Sequence, residues 1–129
     1  SGPYANHPPI PLAWAGAVYQ LTGGAIERFA PIHKLPMIVA DLWVVWMVYH
    51  LALRSGAARP DRWAMLAAIN PLSLLLSGYH GNTDPVMAAL LLAAADRAAR
   101  RQFLLAGLAL GAAINVKLVP VLAIPMLLA

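Results

Sequence analysis

The few charged residues of this chain separate long apolar blocks. Of the 129 residues, 61% are hydrophobic and 11% are charged. Soluble domains carry about 25% charged residues, so the composition argues against an ordinary water-soluble globule. A disordered segment would need low hydrophobicity and high charge. The absence of cysteine excludes a small disulfide-bonded scaffold. The composition therefore predicts a polytopic membrane protein.

Four apolar blocks have the character of membrane-spanning helices. Such a helix needs about 20 mostly apolar residues, with about 17 as a practical minimum. The predicted spans are Leu35–Leu53, Trp63–Gly78, Pro85–Ala95 and Phe103 to a helix end near Lys117, where another helix should start. Pro85–Ala95 is short for a span, so we expect surrounding protein to shield part of it. A kink or a break is expected within the second span at Asn70–Pro71, because proline lacks the N–H that a continuous helix needs. The predicted fold is an all-α transmembrane bundle of about four spans.

The N-terminal segment is expected to lie on the outer face of the membrane. Its apolar block Ile10–Thr22 is short, and both of its flanks should lie on the outer face if the spans alternate in direction. We therefore expect an interfacial or re-entrant helix that Gly23–Gly24 ends. We expect one domain, with an outer-face loop over residues 1–34 and transmembrane helices over 35–129. The chain lacks an initiator methionine and stops inside an apolar run, from which we expect a fragment of a larger protein.

Loop arginines predict the orientation of the spans. Two loops share six of the nine cations, namely Arg54, Arg59, Arg62, Arg97, Arg100 and Arg101. Both loops should lie on one side of the membrane, which the positive-inside rule makes cytoplasmic. The N-terminal segment, the loop Gly78–Pro85 and the neighbourhood of Lys117 then face outward.

The remaining polar residues that need an explanation collect on this outer face. The candidate site residues are Tyr4, His7, Asp41, His80, Asn82, Asp84 and Lys117. An ionisable group within the bilayer has a high free-energy cost, so it usually faces the interior of a helix bundle or a cavity. Asp41 is either a structural acid paired with a cation such as Lys117, or part of a cavity that opens outward.

The sequence HGNTD and the lysine each allow two interpretations. HGNTD is one of two things. It is either a capped turn, in which Thr83 or Asp84 caps a helix that begins at Pro85, or a site for sugar hydroxyls or phosphate. Capping does not account for His80 or Asn82. Lys117 either extends to the membrane interface or binds a lipid phosphate.

No pattern in the sequence predicts a metal or another cofactor. The four histidines lack the i,i+4 spacing of a zinc site, and the motifs of nucleotide binding and of serine nucleophiles do not occur. Cations scattered among apolar blocks do not form a nucleic-acid surface. The expected surroundings are a lipid bilayer, with no nucleic-acid partner.

Four segments together resemble a known pattern. YANHPPI resembles the Y-x-x-[YH]-P-P segment of the C-type (GT-C) membrane glycosyltransferases, and HKLPMIVADL resembles their K-[LF]-P-x-[IL]-x-A-D-L stretch. INPLSLLLSGYHGNTDPV is similar to N-P-x-x-[IL]-x-x-[ST]-x-x-x-G-[QN]-x-D, and GLALGAAINVKLVP is similar to a later glycine-rich helix that ends in lysine. The order, the spacing and the predicted side agree over nearly the whole chain.

The resemblance implies a GT-C fold and a hexosyltransferase, mannosyl- or glucosyl-type. Such enzymes move a sugar from a polyprenyl- or dolichyl-phosphate carrier to a lipid-linked or glycan acceptor on the extracytoplasmic face. We expect the plasma membrane of a bacterium. An inverting displacement needs a carboxylate base for the acceptor hydroxyl and cationic groups for the departing phosphate.

The resemblance also implies roles for individual residues. The catalytic acid is expected upstream of Tyr4, outside this chain. Asp41 and Asp84 would be sugar-binding or architectural, and Lys117 would bind the carrier phosphate. His80 with Asn82 replaces the family's commoner Trp-Gln pair. The alternative is a polytopic transporter or flippase without transferase activity, because broken helices with polar residues at depth also suit transport.

Overall fold

The computed structural model describes residues 9–71, 75 and 82–125, and every element assigned within them is helical. The five α-helices are α1 (Pro9–Thr22), α2 (Ile26–Arg54), α3 (Pro60–Ala68), α4 (Asp84–Ala99) and α5 (Phe103–Val116). A short 3₁₀ helix, Val119–Ala123, follows α5. The all-α prediction is confirmed for the described part of the chain.

Helix α1 corresponds closely to the predicted short N-terminal helix. It ends at Thr22, and Gly23 and Gly24 follow with φ angles of 62° and 77°. These values lie in the left-handed region that glycine enters without steric cost, so the predicted stop is confirmed. The Trp14 indole Nε1 donates a hydrogen bond to the His33 carbonyl oxygen at 3.1 Å, which holds α1 against the early turns of α2.

Helix α2 is longer than the predicted first span. It begins at Ile26 instead of Leu35, so the predicted boundary between residues 34 and 35 falls inside a helix. Hydropathy placed the start too late, because the first turns carry exposed Glu27 and Arg28 and contain Pro31. Phe29 and His33 stack one turn apart, with ring centroids 5.1 Å apart, and reinforce this segment. At 29 residues, α2 is about 43 Å long.

The remaining helices match the predicted blocks in part. Helix α3 ends at Ala68, so the break before Asn70–Pro71 is confirmed, and most of the second predicted span beyond it lies outside the described residues. Helix α5 ends immediately before Lys117 and a 3₁₀ helix follows, as expected. Among the described helices, α2 alone is long and apolar enough to cross a membrane, so the four-span arrangement stays a prediction.

Small residues form much of the interface between α4 and α5. Ala89 and Ala94 of α4 and Ala106 and Ala113 of α5 are buried, and this helix pair makes the most extensive contacts in the described structure. Small side chains let helix backbones approach closely, as membrane helix pairs require. Large apolar side chains point outward instead; Leu104, for example, is 77% exposed. Such a surface suits lipid better than water.

The bundle has two chemically different ends. Arg54, at the end of α2, bonds to Asp96 near the end of α4, so these two helices run parallel. Helix α5 returns antiparallel to α4 and brings Lys117 back to Asp84. The two arginine-rich loops therefore lie at one end, as predicted, although which side of a membrane they face stays a prediction. We call this the arginine end.

Candidate functional site

Three of the predicted site residues meet at the end opposite the arginines. The Asp84 carboxylate accepts a hydrogen bond from the Lys117 ammonium through Oδ1 and another from Asn82 Nδ2 through Oδ2, the latter at 2.9 Å. Asp84 and Lys117 are 33 positions apart in sequence. We call these three residues the polar cluster.

The helix ends position the polar cluster. Asp84 is the first residue of α4 and Pro85 follows it, which places the carboxylate beside the unpaired N–H groups of the first turn. Lys117 follows the last residue of α5 in an extended conformation, with φ −153° and ψ 146°. The chain leaves the helix at this residue, and its side chain reaches back to α4.

The capped-turn interpretation of HGNTD is wrong in one respect. Helix α4 begins at Asp84 rather than Pro85, and Thr83, which precedes it, forms no side-chain cap hydrogen bond. The Asp84 carboxylate instead bonds to Asn82 and Lys117. Through Lys117, Asp84 thus connects the start of α4 to the end of α5.

The polar cluster is half-buried and retains bonding capacity. The side chains of Asp84 and Lys117 are 29% and 40% exposed. Their formal charges balance, but an ammonium has three N–H donors and a carboxylate accepts through about four lone-pair sites. The cluster therefore offers both a cation and acceptors to a ligand at the same point.

An apolar cavity of about 180 Å³ adjoins the polar cluster. Two lining residues, Thr83 and Val116, are the sequence neighbours of Asp84 and Lys117. The full lining is Ile10, Pro11, Trp14, Pro36, Met37, Thr83, Val86 and Val116. A charged cluster beside an apolar cavity is complementary to a molecule with a polar head and a hydrocarbon chain.

Of the four other predicted site residues, the structure describes Asp41 alone. Tyr4, His7 and His80 lie outside the described residues. Asp41 is half-buried on α2, one helical turn beyond Met37, which lines the cavity. Lys117 pairs with Asp84. One interpretation of the sequence had suggested Asp41 as the partner of this lysine.

The cavity was missed from the sequence. Its lining comes from four helices and from Thr83, which precedes α4. Single apolar residues carry no signal in a chain that is 61% hydrophobic.

Comparison with known proteins places the chain in a family. Residues 2–129 match the family model described as alpha-(1->6)-mannopyranosyltransferase, N-terminal domain. The match covers nearly the entire chain, so the chain belongs to this family, whose name indicates a mannosyltransferase and hence glycosyl transfer. No curated protein and no solved structure gives a significant match.

Proposed function

We propose that, within this mannosyltransferase family, the chain binds a polyprenyl-phosphate-linked sugar and takes part in transferring its hexosyl group, mannosyl in the first instance, to an acceptor hydroxyl. The acceptor is a lipid-linked or glycan molecule on the extracytoplasmic face of a membrane. The observation that carries the proposal is the polar cluster beside the apolar cavity, at the end of the bundle opposite the arginines.

Lys117 is assigned to the phosphate of the donor. One N–H of its ammonium is held by Asp84, and the other two can reach phosphate oxygens. A positive charge at this point stabilises the phosphate as it departs with the bonding electron pair. Asp84 fixes the lysine in place and, with Asn82, supplies acceptors and donors for sugar hydroxyls.

The apolar cavity is assigned to the first units of the polyprenyl chain. Trp14, Met37 and Val86 provide a hydrocarbon surface directly beside the residues that flank the polar cluster. Burial of apolar surface contributes about 25 cal/mol per Å². The polyprenyl chain thus anchors the donor, while the polar cluster orients the sugar phosphate.

The proposed reaction is a displacement at the anomeric carbon. The bond from this carbon to the phosphate oxygen breaks, a bond to the acceptor oxygen forms, and the acceptor proton passes to a carboxylate base. We assign this base to an acid upstream of Tyr4, following the GT-C resemblance. Asp84 is a poor base for this step because its carboxylate is bonded to Lys117 and Asn82. Asp41 has a sugar-binding or architectural role in this proposal.

The sidedness of the site follows from the separation of charges. The arginine end should face the cytoplasm by the positive-inside rule, which leaves the polar cluster outside. A polyprenyl-linked donor can reach the site on this face, because its sugar is attached to a membrane lipid and not to a soluble nucleotide.

The test is a transfer assay in membranes that contain the protein, with labelled polyprenyl-phosphate mannose. Lys117→Ala and Asp84→Ala should each reduce kcat/KM by about 100-fold, equivalent to about 2.7 kcal/mol. Arg62→Gln, which removes a cation at the arginine end, is the matched control and should leave transfer unchanged. Normal transfer by both site variants at normal expression would refute the assignment, and movement of the lipid without sugar transfer would favour a flippase.

A further inference from the structure

A second pocket lies at the arginine end of the bundle, far from the polar cluster. It has a volume of about 190 Å³ and is lined by one face of α2 and one face of α4. Helix α2 contributes Trp43, Trp46, His50 and Arg54 at helical spacing. Helix α4 contributes Asp96 and Arg97, and Arg100 follows the last residue of α4. We call it the arginine pocket.

The arginine pocket carries an excess of positive charge. Its lining contains three guanidinium groups and one carboxylate, that of Asp96, whose side chain is 10% exposed. Arg54 Nη1 lies 2.7 Å from Asp96 Oδ1, and Arg100 Nε lies 2.9 Å from Oδ2. Each guanidinium has five N–H donors, more than these contacts use. Asp96 therefore orients two arginines without neutralising the site.

Arg97 contributes the third guanidinium group to the lining of the pocket. Its Nη1 donates to Gln102 Oε1 at 2.9 Å, so the side chain is held by the turn between α4 and α5. Forked guanidinium groups bind phosphate oxygens in pairs, which makes a phosphate the best match for this arrangement.

Aromatic rings of α2 surround the same pocket. The centroids of Trp46 and His50 are 4.3 Å apart, and those of Trp43 and Trp46 are 6.4 Å apart. Trp46 is 51% exposed. Tryptophans concentrate at head-group depth in membranes, and basic pockets between helices bind anionic lipid heads there. The rings thus place the arginines where a head group would lie, beside the apolar surface that acyl chains would cover.

We infer that the arginine pocket binds the phosphate of an anionic phospholipid, at the opposite end of the bundle from the donor site. The bound lipid would bridge α2 and α4 through Arg54, Arg97 and Arg100, with its acyl chains along the exposed apolar surface of α2. This site is independent of sugar transfer and does not rest on the proposed function.

The test is native mass spectrometry of the detergent-solubilised chain titrated with phosphatidylglycerol or phosphatidylcholine. Wild type should prefer phosphatidylglycerol, and Arg97→Gln/Arg100→Gln should bind it roughly 25-fold more weakly, at about fivefold per arginine. Arg59→Gln/Arg62→Gln is the matched control, since it removes the same charge from the start of α3, outside the pocket, and should retain the preference.

A single-substitution variant and a competition with inorganic phosphate complete the experiment. Arg97→Gln alone leaves both bonds to Asp96 intact, so it should fold normally and lose about fivefold. Inorganic phosphate at millimolar concentration should compete weakly. Equal losses in the pocket and control variants, no preference for phosphatidylglycerol, or full displacement by inorganic phosphate would each overturn the inference.

Discussion

The Lys117 ammonium donates a hydrogen bond to the Asp84 carboxylate and thereby joins the end of α5 to the first residue of α4. These helices form the most extensively packed pair in the described structure, and the ion pair closes the end of that pair opposite the connecting turn. The same two groups border an apolar cavity through their sequence neighbours Thr83 and Val116. A contact that stabilises the helix pair thus also fixes the only cation of the proposed donor site among the described residues.

The first prediction concerns the energy of this pair. Because both side chains are partly exposed, the coupling energy between Asp84 and Lys117 should be about 1 kcal/mol. A double-mutant cycle of Asp84→Ala and Lys117→Ala, measured by thermal unfolding in detergent, tests it. Additive effects of the two substitutions would show that the pair does not stabilise the fold.

The second prediction concerns the apolar cavity. Val86→Phe places a larger side chain in the space assigned to the polyprenyl chain, so KM for the donor should rise about tenfold with kcat unchanged. Val119→Phe is the control, because Val119 is 57% exposed and does not line the cavity. The same rise in KM for both variants would argue against this use of the cavity.

The third prediction concerns the attachment of α1 to α2. Trp14→Phe removes the hydrogen bond to the His33 carbonyl and should cost about 1 kcal/mol of unfolding free energy. Trp63→Phe, at a position 56% exposed, is the matched control and should cost less. Denaturation followed by circular dichroism measures both, and equal losses would contradict the assigned role of Trp14.

The fourth prediction concerns the turn between α4 and α5. Arg101 has a φ of 58°, a left-handed conformation that costs a non-glycine residue about 1–2 kcal/mol. Arg101→Gly should therefore raise the unfolding free energy by about 0.5–1 kcal/mol after the entropic cost of glycine. Arg101→Ala removes the same charge without relieving the backbone, and should show no gain. A loss of stability in the glycine variant would contradict this prediction.

Sequence patterns predicted the features that depend on local chemistry. Gly23–Gly24 ends α1, Asn70–Pro71 follows the end of α3, and Lys117 follows the end of α5. The first two boundaries depend on residues that permit or prohibit a particular backbone conformation, so a short segment contains the necessary information. The end of α5 was predictable because the apolar block is too long for one straight span and contains Pro120 and Pro125. The shared end of the two arginine loops was also predictable, since it follows from the alternation of apolar blocks.

Features that depend on tertiary contacts were not predictable from the sequence. The sequence placed Asp84 and Lys117 on one face of the membrane, but suggested Asp41 as the partner of the lysine. The packing of α4 against α5 brings Lys117 to Asp84 instead. The early start of α2 at Ile26 was missed because its first turns are polar, although they are held by the Phe29–His33 stack and the bond from Trp14.

In the proposed function, Lys117 binds the phosphate of a polyprenyl-linked donor. The most direct measurement is the inhibition constant of polyprenyl monophosphate, the released carrier, against mannosyl transfer by wild type, Lys117→Arg and Lys117→Ala. Loss of a hydrogen bond to a charged group costs about 1.5–3 kcal/mol, so the alanine variant should bind the carrier roughly 10- to 100-fold more weakly. The arginine variant should stay close to wild type. An unchanged inhibition constant in Lys117→Ala, with transfer still measurable, would contradict the account.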